Sequence, residues 1–272
     1  MDTVYLLSEA GLKKAAQLFA GSHETLIRSA LEGAMGEKSQ VYGNHRDCPT
    51  AVRADTGDFA IFAGDPAAAG ELIAGTKVPL FCPAFPEQEK VWEAAFRDKF
   101  PELETFNRYA FYHDDPTAFD RKKLQEFRAA LPAGFTLREI DRELYERCRA
   151  ESWSQDLVGN FPDAEIFCRD GLGIVVVAPD GELAAGASSY SIYRGGIEIE
   201  VDTRKSYRQM GLGRAVSAAL ILRCLERGLY PSWDAANLIS VRLAQSLGYR
   251  EKGEYHVWYE KSLDPAGTAA SE

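Results

Sequence analysis

A chain of 272 residues is long enough for two modest domains, and a hydrophobic share of 46% supplies a core for each. Its formal net charge of −10 disfavours nucleic acid and anionic membranes as partners and favours a cationic amine, although solubility alone also accounts for such a surface. No run of about 18 apolar residues is present to span a bilayer.

The chain opens with two helical patterns, at about residues 9–20 and 23–35. Ser22, with Thr25 behind it, is placed to cap the second, and Gly33-Ala34-Met35-Gly36 to end it. Residues 37–49 are polar and read as a loop. Residues 51–54 and 58–62 flank Asp55-Thr56-Gly57 as a β-hairpin. A short helix follows over 66–74, with Pro66 in its first turn. Residues 78–82 read as a strand. The helix at 87–100 is expected to bury Val91, Ala94, Ala95 and Phe96, and a further strand covers 106–112. Residues 116–130 are charged and helical and read as a linker.

The second half opens with a strand at 135–140 and helical patterns to about 169. An antiparallel meander follows over 173–178, 183–193 and 197–201, with glycine at each turn. A long helix at 212–227 has an apolar stripe broad enough to pack on a sheet. A strand covers 230–235. A helix begins at Asn237 with Ile239, Leu243 and Leu247 on one face, and Gly248 stops it. Closing strands fill 249–259, and the last residues, 263–272, read as a disordered tail.

The N-terminus has neither a basic region nor a long apolar one, so a secretory signal is not expected. Five widely spaced cysteines, without CxxC or Cys/His spacing, read as reduced thiols in a cytoplasmic protein with no metal site.

The chemistry concentrates in residues 204–214, Arg-Lys-Ser-Tyr-Arg-Gln-Met-Gly-Leu-Gly-Arg, between a strand and a long helix. Backbone N–H groups at a helix N-terminus lack internal partners and carry partial positive charge, which suits a phosphate or pyrophosphate. Gly211 and Gly213 let the backbone approach such an anion closely. The segment is basic and contains no acid, a reversal of sign within an acidic chain. A dinucleotide-binding fold is disfavoured, because hairpins precede the loop and no GxGxxG occurs.

Arg208-x-x-Gly211-x-Gly213 resembles the (Gln/Arg)-x-x-Gly-x-(Gly/Ala) motif of GNAT N-acetyltransferases. The similarity in element order covers about residues 133–262. Within it, Asn237-x-x-Ser240-x-x-Leu243-x-x-x-Leu247-Gly248-Tyr249 is similar to a second motif of the family. The chain also resembles the branch that includes zwittermicin A resistance acetyltransferases, through Tyr42-Gly43-Asn44-His45 and the stretch from Ser232 to Asn237.

This resemblance implies an α+β fold: a GNAT domain at 131–262, a mixed and mostly antiparallel sheet flanked by helices, after an N-terminal α/β domain at 1–130. From residue 51 onward the N-terminal order echoes the later part of a GNAT domain, with Gly64-Asp65-Pro66 where the motif belongs. It is therefore expected to be a degenerate GNAT-like half that binds no coenzyme A and walls the acceptor cleft. His45, Arg46 and Asp47 either reach that cleft or form a surface loop.

The resemblance further implies direct transfer of an acetyl group from acetyl-CoA, a cosubstrate, to a primary amine of a small molecule such as an antibiotic or metabolite. Arg208, Gln209, Met210, Gly211, Leu212, Gly213 and Arg214 would hold the pyrophosphate. The strand ending at Val201 would present its backbone to the pantetheine arm and thioester. Asn237 and Ser240 would meet that arm; Asn237 also suits a helix cap. The partners expected are acetyl-CoA and the amine, with no nucleic acid and no membrane, in a monomer or homodimer.

A lysine-like amine is about one part in a few thousand neutral at pH 7, so a general base is useful. Glu200, and behind it Glu198, lie on one face of the strand before the motif; a solvated sheet face is the other reading of both. The family often takes its acid from a tyrosine, but Ala244 occupies that position. Tyr249, Tyr255 and His256 are near in sequence, and a thiol leaving group can also depart unaided. Asp234 would hold the acceptor's ammonium or cap a loop. The competing readings are an amino-acid N-acyltransferase using a larger acyl-CoA and a non-catalytic acyl-CoA sensor.

Overall fold

The computed structural model describes residues 4–264. Its first elements are β1 (Tyr5–Leu6), α1 (Glu9–Leu18), α2 (Leu26–Glu32), β2 (Ser39–Gly43), β3 (Ala51–Thr56), β4 (Phe59–Gly64), α3 (Gly70–Ala74), β5 (Leu80–Pro83), α4 (Glu89–Lys99), β6 (Glu104–Phe111) and α5 (Arg121–Ala129). There follow β7 (Thr136–Glu139), α6 (Arg142–Ala150), α7 (Ala164–Asp170), β8 (Gly173–Val177), β9 (Leu183–Tyr193), β10 (Gly196–Thr203), α8 (Leu212–Glu226), β11 (Tyr230–Ser232), β12 (Asp234–Ala235), α9 (Leu238–Leu247) and β13 (Glu251–Tyr259). Two compact units result: Met1–Ala110 with Ala235–Asn237 and Lys252–Glu272, and Phe111–Asp234 with Leu238–Glu251. They divide the chain differently from a cut at residue 130.

The first unit is built on a sheet of order β1-β2-β3-β4-β5-β13-β6-β12. Its hairpin turns at Gly57, whose φ of 58° favours glycine. β4 and β5 are parallel, Phe59↔Leu80 to Phe62↔Pro83, so a crossover must join them, and α3 lies within it. The core packs Phe62, Phe81, Trp92, Phe96 and Trp258, with ring centroids 5.0 Å apart for Phe62–Phe96 and 5.6 Å for Phe96–Trp258. Burying side chains of this kind stabilises by about 1.5–3 kcal/mol each. Arg53, buried mid-strand, donates to both Asp55 oxygens at 2.8 and 2.9 Å, and its guanidinium lies 4.7 Å from the Tyr42 ring.

Several expectations for this half are corrected. The polar loop at 37–49 contains β2, because the buried Ser39 hydroxyl meets Ser29 at 3.0 Å and Thr56 at 2.8 Å. Ser22 does not cap α2; its hydroxyl donates to the Ala84 carbonyl at 2.7 Å, and Thr25 stands at the N-cap. α4 buries Trp92 and Phe96, one turn apart, while Val91 is 59% exposed. The closing segment is a single strand, β13, paired with β5 of this sheet through Trp258↔Phe81 and Tyr259↔Leu80. Leu263 ends a helical turn and Asp264 accepts from the Tyr259 hydroxyl at 3.1 Å; the rest of the expected tail lies outside the described residues. Residues 45–47 brace α1: the Arg46 carbonyl accepts from Ser8 N–H at 3.2 Å, and His45 Nδ1 accepts from the N–H groups of Asp47 and Cys48.

The second unit has the meander expected from its turns, in the order β11-β10-β9-β8-β7. All neighbours are antiparallel except β10 and β11. α8 is buried nearly all round, as befits a helix covered on more than one side: it packs on β8, β9, β10 and β11, and α5 lies against it. α9 turns Val241, Ala244 and Leu247 inward. Ile239, expected on that face, is 72% exposed, and Leu243 is half-buried.

Candidate active site

Two features of the second unit make its site: a fork between β10 and β11, and the turn that leads from β10 into α8. The parallel ladder is short, running Gly196↔Tyr230, Ile197↔Pro231 and Glu198↔Ser232, and there it stops. Pro231 lacks an N–H and weakens any continuation. On the other side of β10 the register with β9 slips between Glu198 and Ile199, passing from Ser191 to Ser189 and making Tyr190 the extra residue of a bulge. Asn160 satisfies that extra residue by donating its side-chain amide to the Tyr190 carbonyl at 3.0 Å. Beyond the fork, β10 continues past the last registered pair with β11 as far as Thr203.

Registered partners share a face, so Ser191, Glu198 and Ser232 form one polar row across the fork. Glu198 is buried there, and Glu200, opposite Ser188, is half-buried. Neither lies on a freely solvated face. Glu200 Oε1 accepts from the Val201 N–H at 3.1 Å. The Tyr193 hydroxyl and Ser232 Oγ are 2.6 Å apart, and the Tyr193 ring crosses Gly196, where a Cβ would come within 2.2 Å of its hydroxyl. Tyr193 belongs to no motif, Ser232 only opens the Ser232–Asn237 stretch, and they are 39 positions apart, so no local signal marks them as a pair.

The turn after β10 is anchored from below. Arg204 pairs with Glu182 at 2.6 Å and Glu151 at 3.3 Å, and the Tyr207 hydroxyl donates to Asp180 at 3.3 Å. Arg204, one of the basic residues behind the sequence argument, is therefore neutralised locally. Arg208 folds back, its Nε donating to the Thr203 carbonyl at 3.2 Å.

Left-handed backbone follows at Gln209 (φ 65°) and Gly211 (φ 79°). Among the described residues Gln209 is the one non-glycine with positive φ, a conformation that costs about 1–2 kcal/mol. Alternating backbone of this kind turns successive N–H groups toward one concavity. A Cβ at Gly211 would meet nothing within 4 Å, so its φ, not crowding, requires glycine. Among the described residues no acceptor is recorded for the N–H groups of Gln209, Met210, Gly211, Leu212, Gly213 and Arg214; Ala215 is the first to donate, to Gly211. Met210 is exposed and Leu212 buried.

The remaining candidates are dispersed. Ser240 accepts from the Trp233 indole at 3.1 Å and so holds a packed ring. Tyr249 is buried among Phe111, Phe119 and Trp233, and its hydroxyl donates to the Pro231 carbonyl at 2.6 Å. Burial drives its pKa well above the usual tyrosine value. Its proton is committed to holding β11. Asp234 lies two residues past the last registered position of β11 rather than opposite the motif strand, and is half-buried. Asn237 is half-buried just before α9. His256, in the first unit, contacts Glu89 at 2.8 Å.

Residues 16–258 match the family model of GNAT acetyltransferase. The chain belongs to the GNAT acetyltransferase family. It is 38% identical to the GCN5-related N-acetyltransferase-like protein of Streptococcus suis 89/1591, with a TM-score of 0.82 over 91% of this chain and 97% of that one. It is 28% identical over 167 residues to the "Uncharacterized N-acetyltransferase YdfB" of Bacillus subtilis (strain 168), a stretch that spans 58% of each chain. A tandem GNAT protein from the clavulanic acid biosynthesis pathway shares the fold at 12% identity, with a TM-score of 0.53 over 95% of this chain and 98% of that one.

GNAT acetyltransferases use acetyl-CoA, and the donors at 209–214 have the chemistry that its pyrophosphate needs: consecutive, outward N–H groups at the positive end of a helix. The corresponding crossover in the first unit is different. Asp65 N–H donates to Thr50, Pro66 has none, Ala67 N–H donates to the Asp65 carboxylate at 3.0 Å, and those of Ala68 and Ala69 donate to the carbonyls of Asp65 and Pro66. That crossover offers an anion no uncommitted donor among residues 65–69. No helix among the described residues is long and apolar enough to cross a membrane, and no cluster there could hold a metal ion.

Proposed function

We propose that this protein transfers the acetyl group of acetyl-CoA to a primary amine of a small molecule by direct attack. The observation that carries the reading is the run of uncommitted N–H groups from Gln209 to Arg214, which lies directly after a forked parallel pair of strands. Acetyl-CoA supplies an activated acyl thioester. The amides of 209–214 bind its pyrophosphate, with Arg208 alongside. The edge of β10 from Ile199 to Val201, past the fork, takes the hydrogen bonds of the pantetheine arm.

Glu200 takes the proton of the attacking ammonium, directly or through water, and Glu198 adds negative charge behind it. Ala244 leaves the family's usual acid position without a hydroxyl, and the Tyr193–Ser232 pair offers one at the fork for the departing sulfur. Tyr249 acts by fixing the Pro231 carbonyl, not by giving up its proton. Asp234 remains the candidate for holding the acceptor's ammonium. An amine-bearing antibiotic or metabolite is the acceptor class that the zwittermicin-type resemblance favours. The first unit is a GNAT-like half whose own cradle is filled by Asp65 and Pro66, in line with the tandem architecture among its structural relatives.

Incubation with acetyl-CoA and a panel of amines, followed by free thiol release, tests this. Release that requires an amine and matches the acetylated product is expected. Equal release without amine overturns direct transfer, and tight coenzyme A binding without release on any amine replaces it with a sensor.

A further inference from the structure

Helix α5, expected as a linker, is part of the second unit, and it carries Arg121, Lys122, Lys123 and Arg128 against one acid, Glu126, in a chain of net charge −10. It packs along α8 through buried Leu124. Its Phe127 meets α8 at the cradle end of that helix: the guanidinium of Arg214, in the first turn of α8, lies 4.7 Å from the Phe127 ring centroid, and Lys123 Nζ lies 5.5 Å from the same centroid. Two cations therefore share one ring beside the amides of 209–214.

Arg53, Arg97, Arg138, Arg147, Arg169, Arg204, Arg223, Arg227 and Arg250 all have a carboxylate within 4.0 Å. Among the described residues no such partner is recorded for Lys123 or Arg214. Two like charges held against one ring repel each other, and the cheapest relief is a shared anion. The ring also fixes the guanidinium plane and so lowers the entropy lost on binding a phosphate.

We propose that Lys123 and Arg214, set on Phe127, bind a phosphate monoester, the 3′-phosphate of the coenzyme A nucleotide. The inference rests on the acetyl-CoA reading above. A 3′-phosphate is one ribose removed from the pyrophosphate, and it carries close to two negative charges at neutral pH. The site makes the chain selective for coenzyme A over donors that end in a pyrophosphate or a bare pantetheine phosphate. It assigns α5 a part in cofactor choice.

Titration calorimetry with coenzyme A and with 3′-dephospho-coenzyme A tests it without reference to turnover. The wild-type protein is expected to bind coenzyme A about 10–100-fold more tightly, as loss of charged hydrogen bonds implies. Arg214→Ala and Lys123→Ala each reduce that ratio several-fold while leaving the affinity for the dephospho form within about twofold, and Arg214→Lys retains most of it. Lys205→Ala, on the other side of the turn, keeps the wild-type ratio. Equal binding of both nucleotides by the wild type overturns the proposal, as does an equal weakening of both in the alanine variants, or loss of the ratio in Lys205→Ala. Failure of the wild type to bind either nucleotide overturns the acetyl-CoA reading beneath it. Melting temperatures of the variants separate a binding loss from a loss of packing on Phe127.

Discussion

Replacing Gly211 by alanine separates backbone conformation from crowding at the cradle. The new Cβ has open space, with no atom within 4 Å, so packing is not disturbed. The cost arises from φ, which stands at 79° in a region worth about 1–2 kcal/mol against a residue with a side chain. The variant either keeps that conformation and loses about 1 kcal/mol of stability, a fall of roughly 2–4 °C in Tm for a domain of this size, or relaxes and turns neighbouring N–H groups away. Relaxation forfeits one or two charge-assisted hydrogen bonds to the pyrophosphate, each about 1.5–3 kcal/mol, so coenzyme A binds about 10–100-fold more weakly. Gly211→Trp abolishes binding by filling the space itself. The counterpart is Gln209→Gly, which relieves the same strain at φ 65° and raises Tm by a few degrees. Calorimetric titration and thermal melts read both quantities. Unchanged coenzyme A affinity in both Gly211 variants refutes the cradle, and a lower Tm in Gln209→Gly refutes the account of strain.

Glu200→Gln keeps the acceptor for the Val201 N–H and removes the base; kcat is expected to fall about 100-fold or more, with coenzyme A affinity within about twofold, and an unaltered rate-versus-pH profile removes Glu200 from the mechanism. Burial pushes Tyr230 up to about 12 and Tyr249 well above the ordinary value. Both stay neutral in the folded state while the unfolded chain ionises, so their contribution is complete below about pH 10 and is lost as pH rises from there through the folded values. Tyr249→Phe is therefore expected to flatten the alkaline loss of stability, at a cost of about 1–3 kcal/mol near neutrality from the stranded Pro231 carbonyl; an unchanged alkaline slope contradicts this. Arg53→Met leaves the Asp55 carboxyl buried without its partner. Burial already raises the Asp55 pKa despite Arg53, so a loss of about 3–5 kcal/mol is expected, and a denaturation midpoint equal to wild type opposes it.

The parts of the molecule legible in the sequence are those fixed by local chemistry. Glycines at the turns and alternation between them give the meander β8–β10, and Gly211 marks the left-handed turn into α8. What escapes is set by partners far along the chain. β2 looked like a loop because Ser39 is polar, and only Ser29 and Thr56 make its burial tolerable. Periodicity offered Val91 to the core, and the aromatic cluster around Phe96 takes Trp92 in its place. β13 pairs with β5 across more than 170 positions, which no local pattern announces. At the site the motif residues were legible, but the Tyr193–Ser232 pair and the approach of α5 to Arg214 depend on register and helix packing. Arg204 shows the converse: its charge, prominent in the sequence, is neutralised by Glu182 and Glu151.

The most direct measurement is the amide spectrum of the isotopically labelled protein titrated with coenzyme A. Binding through the cradle shifts the N–H resonances of Gln209 to Arg214 strongly and leaves those of residues 65–69, whose donors are already committed or absent, in place. Shifts centred on residues 65–69, or on neither turn, contradict the assignment of the coenzyme to the 209–214 loop.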